Sequence, residues 1–320
     1  MTSVDLPPPA FYFPPHKGRF TVTPGLFPLG TDFGNGEMDG CLFQIDRDYP
    51  RYYENKMRCR AERFGKYIVQ SAFDPRTQET VARLICYRLK KEFPALFHRE
   101  EKRSGAGILH CALTGDALAF DDAMNLQAHP RYRDAFDALC CQIPEDIAIV
   151  RRRTVPGSGE WVAGLHLCAP SHWAAEDKIG KPFVAVHAPV PHFDRIATVA
   201  ESLTDSLIHR GPYVRFAWSV TVDNRLNAHP EPPPHLGPEI WDGESPLYLR
   251  VERQTLHGMP DVDAYLFGIR IYHYDLLEVC AERSRRDALR AALLSMSPES
   301  QRYKGLADRM PGVLAYIDAL

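Results

Sequence analysis

The sequence predicts an α+β protein built on a five-stranded antiparallel sheet with inserted helices. Three observations carry this: a change near Glu145 from helical spacing to strand-like alternation, two hairpin-type links between alternating segments, and one helical insertion between the second and third of them. With 320 residues, 45% hydrophobic and 25% charged, the chain is long enough to bury such a core and to extend it on both sides. The expected organisation is a Pro-rich arm and helical extension over residues 1–144, a sheet core over 145–277 and C-terminal helices over 278–320.

The opening residues, with Pro7-Pro8-Pro9 and Pro14-Pro15, cannot hold a helix because proline lacks the amide donor, so an extended arm laid on the body is expected. Residues 25–50 are punctuated by Gly and Pro. Helical tracts follow from Arg51 to Phe64, from Thr77 to Phe93 and over 130–141. In the second, Val81, Leu84, Ile85 and Leu89 recur at helical spacing, Thr77 is the expected N-cap and Pro94 the stop. The first 140 residues therefore read as helix and loop.

The expected strands run from Glu145 to Arg152, Trp161 to Cys168, Tyr213 to Val222, Leu247 to His257 and Ala264 to His273. Pro156-Gly157-Ser158-Gly159 joins the first two, and Gly258-Met259-Pro260-Asp261 joins the last two. Within the insertion, Ser171 is positioned to cap a short helix ending at Gly180. A longer helix from Asp194 to His209 presents Phe193, Ile196, Ala200, Leu203 and Leu207 as its buried stripe. Two strands, a helical insertion and three strands is the chain order of a PAS domain, whose ligand sits between the sheet and the inserted helices. Beyond the sheet, Ser284 and Asp287 form a capping-box-like helix start, and Ser297-Pro298 opens another helix.

Composition narrows the chemistry. Lys+Arg 38 against Asp+Glu 41 leaves a net charge of −3, with no basic excess to neutralise phosphates, so no nucleic-acid partner is expected. The sequence shows no apolar run of membrane-spanning length and no leader-like start, so a cytoplasmic protein is expected. The eight cysteines form no C-x-x-C pair and read as small buried hydrophobes in a reducing compartment, not as a zinc or iron–sulfur frame. Walker A, G-x-G-x-x-G, H-E-x-x-H and G-x-S-x-G patterns are missing too. Any nicotinamide or flavin must be borrowed from another polypeptide.

Among thirteen histidines, His187 stands out by its setting. It lies in Val184-Ala185-Val186-His187-Ala188-Pro189-Val190-Pro191, an apolar run whose prolines stiffen the backbone and deny helix. Such a rigid, water-poor setting suits an axial iron ligand, and equally a loop histidine bonded to a backbone carbonyl, the commoner fate. On the fourth strand Arg253 shares a face with Leu247, Leu249, Val251 and Thr255, while Arg250, Glu252 and Gln254 share the other. A guanidinium turned toward a core must be paired, either with a protein carboxylate or with one from a ligand. On the third strand Trp218 is core or the wall of a cofactor pocket, and Arg215 points the opposite way, toward solvent or beneath a helix. His166 reads as a core histidine. Arg283, Arg285, Arg286 and Arg290 read as a solvated helix face or a docking patch for an acidic redox partner.

With these residues in view, the chain resembles the α subunit family of haem-dependent oxidative N-demethylase, the dimethylamine-oxidising PAS enzyme. The resemblance is carried by Pro24-Gly25-Leu26-Phe27-Pro28-Leu29, Trp173-Ala174-Ala175-Glu176-Asp177-Lys178-Ile179-Gly180 and Val186-His187-Ala188-Pro189-Val190. It continues in Arg215-Phe216-Ala217-Trp218-Ser219-Val220-Thr221, Ala228-His229-Pro230 and Arg250-Val251-Glu252-Arg253-Gln254-Thr255-Leu256. The resemblance implies haem b held with His187 as proximal ligand to the iron. Arg253, by its inward position, is the candidate for a haem propionate, and Arg215 and Trp218 complete the cofactor-binding candidates; no catalytic residue is assigned. Pro191-His192 and the Pro-rich 223–246 loop depart from the family pattern, and both departures bear on the substrate.

The resemblance further implies a monooxygenase-type reaction in which haem and O2 oxidise a C–H bond next to nitrogen, the carbinolamine collapsing to an amine and formaldehyde. It implies electrons from NADPH through FMN and [2Fe–2S] on a separate reductase subunit, with a folate-binding subunit as acceptor of the formaldehyde. The rival expectation is a haem-PAS gas or ligand sensor without turnover. Against it stands the short helical tail after the fifth strand, which shows no heptads and no output motif. A haem-less interaction subunit is the third.

Overall fold

The computed structural model describes residues 5–103, 105–152, 159–191 and 198–320. In chain order it contains β1 (Phe27–Pro28), α1 (Tyr49–Tyr67), β2 (Ile68–Gln70), α2 (Pro75–Glu92), β3 (Phe97–Glu101), β4 (Gly107–Cys111), β5 (Asp116–Phe120), α3 (Ala135–Cys140), β6 (Asp146–Arg152) and β7 (Glu160–His166). Then come α4 (Phe183–His187), α5 (Ala200–His209), β8 (Tyr213–Thr221), β9 (Tyr248–Met259), β10 (Ala264–Asp275), α6 (Leu276–Cys280), α7 (Arg283–Leu294), α8 (Pro298–Tyr303) and α9 (Met310–Ala319). None of the described helices is long and apolar enough to cross a membrane.

All five expected strands are present, each within two residues of its expected bounds, and all pair antiparallel. The sheet nevertheless has seven strands, in the order β1-β8-β9-β10-β6-β7-β2, which corrects the expected count of five. The two additions are pieces of the N-terminal extension, two and three residues long, that pair with the outer edges of β8 and β7. Segments so short carry no alternation to read, yet they satisfy edge backbone groups that would otherwise invite pairing with another chain.

The helix-and-loop reading of the first 140 residues also needs correction, because β3, β4 and β5 form a separate three-stranded sheet. Charged side chains at Arg99, Glu100 and Glu101 hide its alternation. Gly107 is required there, since a Cβ would lie 2.1 Å from the Glu100 carbonyl oxygen. The cap of α2 is Asp74, whose carboxylate accepts from the Thr77 amide, so the helix starts before Thr77. Similarly Glu282 precedes α7 and Ser284 lies inside it, whereas Ser297 caps α8 as expected. Turns occupy the stretch from Ser171 to Gly180 instead of a short helix, and Ser171 bridges to Ala228. The expected start of the long inserted helix at Asp194, with Phe193 and Ile196, lies outside the described residues, as do His192 and the hairpin residues Pro156, Gly157 and Ser158.

The two faces of the large sheet have different coverings. One face, with Val251, Arg253, Arg270 and Tyr272, packs against the N-terminal segment, α1 and the C-terminal helices. The other presents Ala148, Val150, Leu165, Leu256 and Tyr265 to α4, α5 and the 171–180 turns. Gly258 sits where α5 ends on β9; a Cβ there would come within 2.0 Å of the Ile208 carbonyl oxygen, so the close approach of helix to sheet depends on it.

Candidate functional site

A cavity of about 1860 Å³ extends from the space between this second face and the inserted helices to the N-terminal segment and the turn after α8. Small and apolar residues of β6, β7 and β10 form one part of its floor, and β8 and β9 contribute a charged part through Arg215, Glu252 and Gln254. The register explains the sharing: Arg215 is opposite Gln254 and Ala217 opposite Glu252, so these residues point to the same side.

His187 lines the cavity as the last residue of α4. The expectation that the prolines deny helix here is corrected: Pro182 precedes the helical turn and Pro189 follows it, so the prolines bound the helix and leave room for one turn. The ring is fixed from two sides. Its Nδ1 donates to the Phe183 carbonyl oxygen at 2.8 Å, and its centroid lies 4.0 Å from that of the Phe183 ring. This bond puts the hydrogen on Nδ1 and the lone pair on Nε2. Burial pushes the imidazole pKa down to about 4, and the positive charges of Arg215 and Lys178 act in the same direction. The ring is therefore neutral at pH 7. Lys178 also steadies the helix, its Nζ donating to the Val186 carbonyl at 2.7 Å.

Arg215 lines the cavity and is half-buried there. Its Nη2 makes one long contact, 3.4 Å to the Thr23 carbonyl, and its Nε has no hydrogen-bond partner among the described residues. Burial lowers its pKa, with Glu252 the opposing charge. Lys304, from the turn after α8, lines the same region and is shifted down by burial as well. Trp218 points to the opposite face, 8% exposed and packed with Val220 and Leu249; it lines the cavity and meets Phe20 edge to face.

Arg253 is not brought to the cavity. Its guanidinium, 1% exposed, reaches the N-terminal segment, where it donates to the carbonyls of Cys41 at 2.7 Å and Leu42 at 3.4 Å. The expectation of a propionate partner at Arg253 is thereby corrected. Its strand is buried on both faces, so an apolar row did not single out the ligand side. Among the described residues no carboxylate pairs with it within 4 Å; backbone oxygens take it up.

Glu252 and Gln254, placed by the alternation on the other face of their strand and given no site role there, line the cavity. Lys304 was missed because nothing in its local sequence points to a site. His229, 5% exposed, is also in the cavity wall; the Ala228-His229-Pro230 block was the signal for it. His166 is core, as read, 3.6 Å from Asp137 and 3.7 Å from Cys141. These three donors are grouped closely enough to hold a metal ion, but Arg60 already binds the Asp137 carboxylate with two contacts of 2.8 Å. A further cation there would meet a charge already neutralised. In the arginine cluster, Arg283, Arg285 and Arg290 pair with Asp287, Glu282 and Asp318, which leaves little net charge for docking.

The cavity thus combines a neutral, oriented imidazole, an apolar floor and half-buried cations at one side. A family model described as haem-dependent oxidative N-demethylase, alpha subunit-like, matches residues 37–313, most of the chain, and the chain belongs to that family.

Proposed function

We propose that the chain holds haem b in this cavity with His187 Nε2 as the iron ligand, and that it demethylates a small methylated amine with O2, releasing formaldehyde. The family description itself gives haem dependence, oxidative N-demethylation and, in the words alpha subunit, the presence of other subunits. The finer parts of the proposal are a PAS-like core over 145–277, whose five strands stand second, first, fifth, fourth, third across the sheet, and an NADPH-dependent reductase partner carrying FMN and [2Fe–2S]. A folate-binding acceptor of formaldehyde and a dimethylamine-like substrate complete it.

The residues fit haem on their own chemistry. One observation carries the assignment: the His187 Nδ1–H is committed to a carbonyl and the burial-lowered imidazole fronts an apolar floor, the arrangement that fixes the tautomer and ring orientation of a metal-ligating histidine. Arg215 takes over from Arg253 as the cation for a propionate. Haem, when bound, supplies O2 activation and the oxidation of the C–H bond. The chain's part is to bind, orient and manage protons. A methylated amine arrives as an ammonium without a lone pair, so the pocket must offer an acceptor that holds it and takes a proton.

The test is the visible spectrum of the purified chain together with His187→Ala. Wild type should show a Soret band that shifts with dithionite and with added amine. His187→Ala should lose it with the far-UV circular dichroism unchanged. A wild-type haem spectrum in the variant would move the ligand elsewhere. Supplied with a reductase and NADPH, the loaded chain should release formaldehyde in step with amine-dependent O2 uptake; CO or O2 binding without formaldehyde from any amine would leave a sensor.

A further inference from the structure

Around Glu252 the cavity carries more positive charge than the protein answers. Three cations act on this one carboxylate or on each other through space: Arg215, Arg250 and Lys304. Arg250 is engaged, its Nη2 donating to the Ala169 carbonyl at 3.1 Å and lying 3.6 Å from Glu252. Arg215 and Lys304 form no ion pair within 4 Å among the described residues, although both line the cavity. The local surplus is two positive charges. Burial of unanswered charge is costly, and a matching anion offsets that cost.

Lys304 is held as firmly as a turn residue can be. Helix α8 ends in a Schellman motif: the Leu306 amide donates to the Gln301 carbonyl at 2.8 Å and the Gly305 amide to the Arg302 carbonyl at 3.0 Å. Gly305 supplies the left-handed conformation, with φ of 67°, and Leu306, 2% exposed, anchors the far side in the core. The backbone beneath Lys304 is therefore fixed while its side chain reaches the cavity.

We propose that Lys304 and Arg215 form a two-point clamp for the paired carboxylates of the haem, so that the C-terminal turn after α8 is part of the cofactor site. This rests on the haem reading above and extends it to a segment outside the sheet core. The anion it fits is a bis-carboxylate: two negative charges on one edge of an otherwise apolar body. A single small anion would answer only half of the surplus.

The experiment compares haem b with its dimethyl ester, in which both carboxylates are neutral, on the full-length chain. The rate of haem loss to excess apomyoglobin is followed for wild type, Lys304→Met and Lys304→Arg. In wild type the ester should leave about tenfold faster than haem b, as expected for loss of charge-assisted contacts. In Lys304→Met haem b should leave faster while the ester is unaffected, shrinking the ratio to about threefold or less; Lys304→Arg should preserve most of it. An equal ester-to-haem ratio in wild type and Lys304→Met would overturn the clamp and leave the haem reading intact. Equal retention of ester and haem b in wild type would also overturn it. Failure of the chain to take up either macrocycle would overturn the haem reading itself, and the clamp with it.

Discussion

The two faces of the large sheet carry arginines that differ in what answers them. On the face toward the N-terminal segment, Arg270 Nη2 meets both oxygens of Asp46, at 2.9 and 2.7 Å, and its guanidinium lies 3.6 Å from the Tyr52 ring centroid. Arg253, one strand away, is taken up by backbone carbonyls. On the cavity face Arg215 has one long carbonyl contact. An arginine answered by the chain pins one part of the fold to another. One left unanswered is stabilised by what binds.

That contrast is most sharply tested by removing the answer. Asp46→Ala leaves Arg270 buried without a counter-charge, and breaking such a pair should lower stability by about 3–5 kcal/mol. Urea unfolding followed by tryptophan fluorescence measures it. The haem spectrum of the folded fraction should be unchanged, because Arg270 does not line the cavity. A loss under about 1 kcal/mol would mean that Arg270 is held by its aromatic neighbours and that the pair contributes little.

The opposite sign is expected across the sheet. Arg215→Met removes a charge that the ligand-free chain does not answer, so its stability should stay level or rise by about 1 kcal/mol, while haem b is lost faster. A fall in ligand-free stability comparable to that of Asp46→Ala would erase the distinction between the faces.

How much of this was legible in the sequence follows from what periodicity reports. The five strands of the core were legible because they are long and rich in β-branched and aromatic residues, and His187 because its proline-bounded apolar run is unusual. The face carrying the site was not. Alternation distinguishes inside from outside only when one face is wet, and here Val251 and Arg253 are buried against the N-terminal segment while Glu252 and Gln254 turn to the cavity. Strand β9 thus has two insides, and its alternation does not mark which of them borders the cavity. The edge strands at Phe27 and Ile68 were illegible for another reason. Their pairing is decided by where the extension wraps, a tertiary fact that two or three residues cannot encode.

The smallest expected effect is a pH dependence on the cavity face. His187 ordinarily titrates near 6.5 and is held down to about 4 in the folded chain, chiefly by burial. Between these values the unfolded chain binds a proton that the folded chain refuses, so stability rises with pH across the window and is lost as pH falls from 6.5 toward 4. Shifted by that much, a fully buried imidazole would contribute about 3 kcal/mol, and partial solvent contact screens this to roughly 1 kcal/mol. His257, also held down to about 4 by burial, adds a slope of the same sign, whereas His166 is shifted upward and adds the opposite one. The difference between wild type and His187→Ala isolates the cavity residue. Denaturant unfolding of the two haem-free chains at pH 7, 6, 5 and 4.5 should show wild type losing more stability than the variant as the pH falls. Parallel curves would mean that the folded chain accepts a proton on His187 at its ordinary pKa, which a pre-formed, neutral iron ligand cannot do.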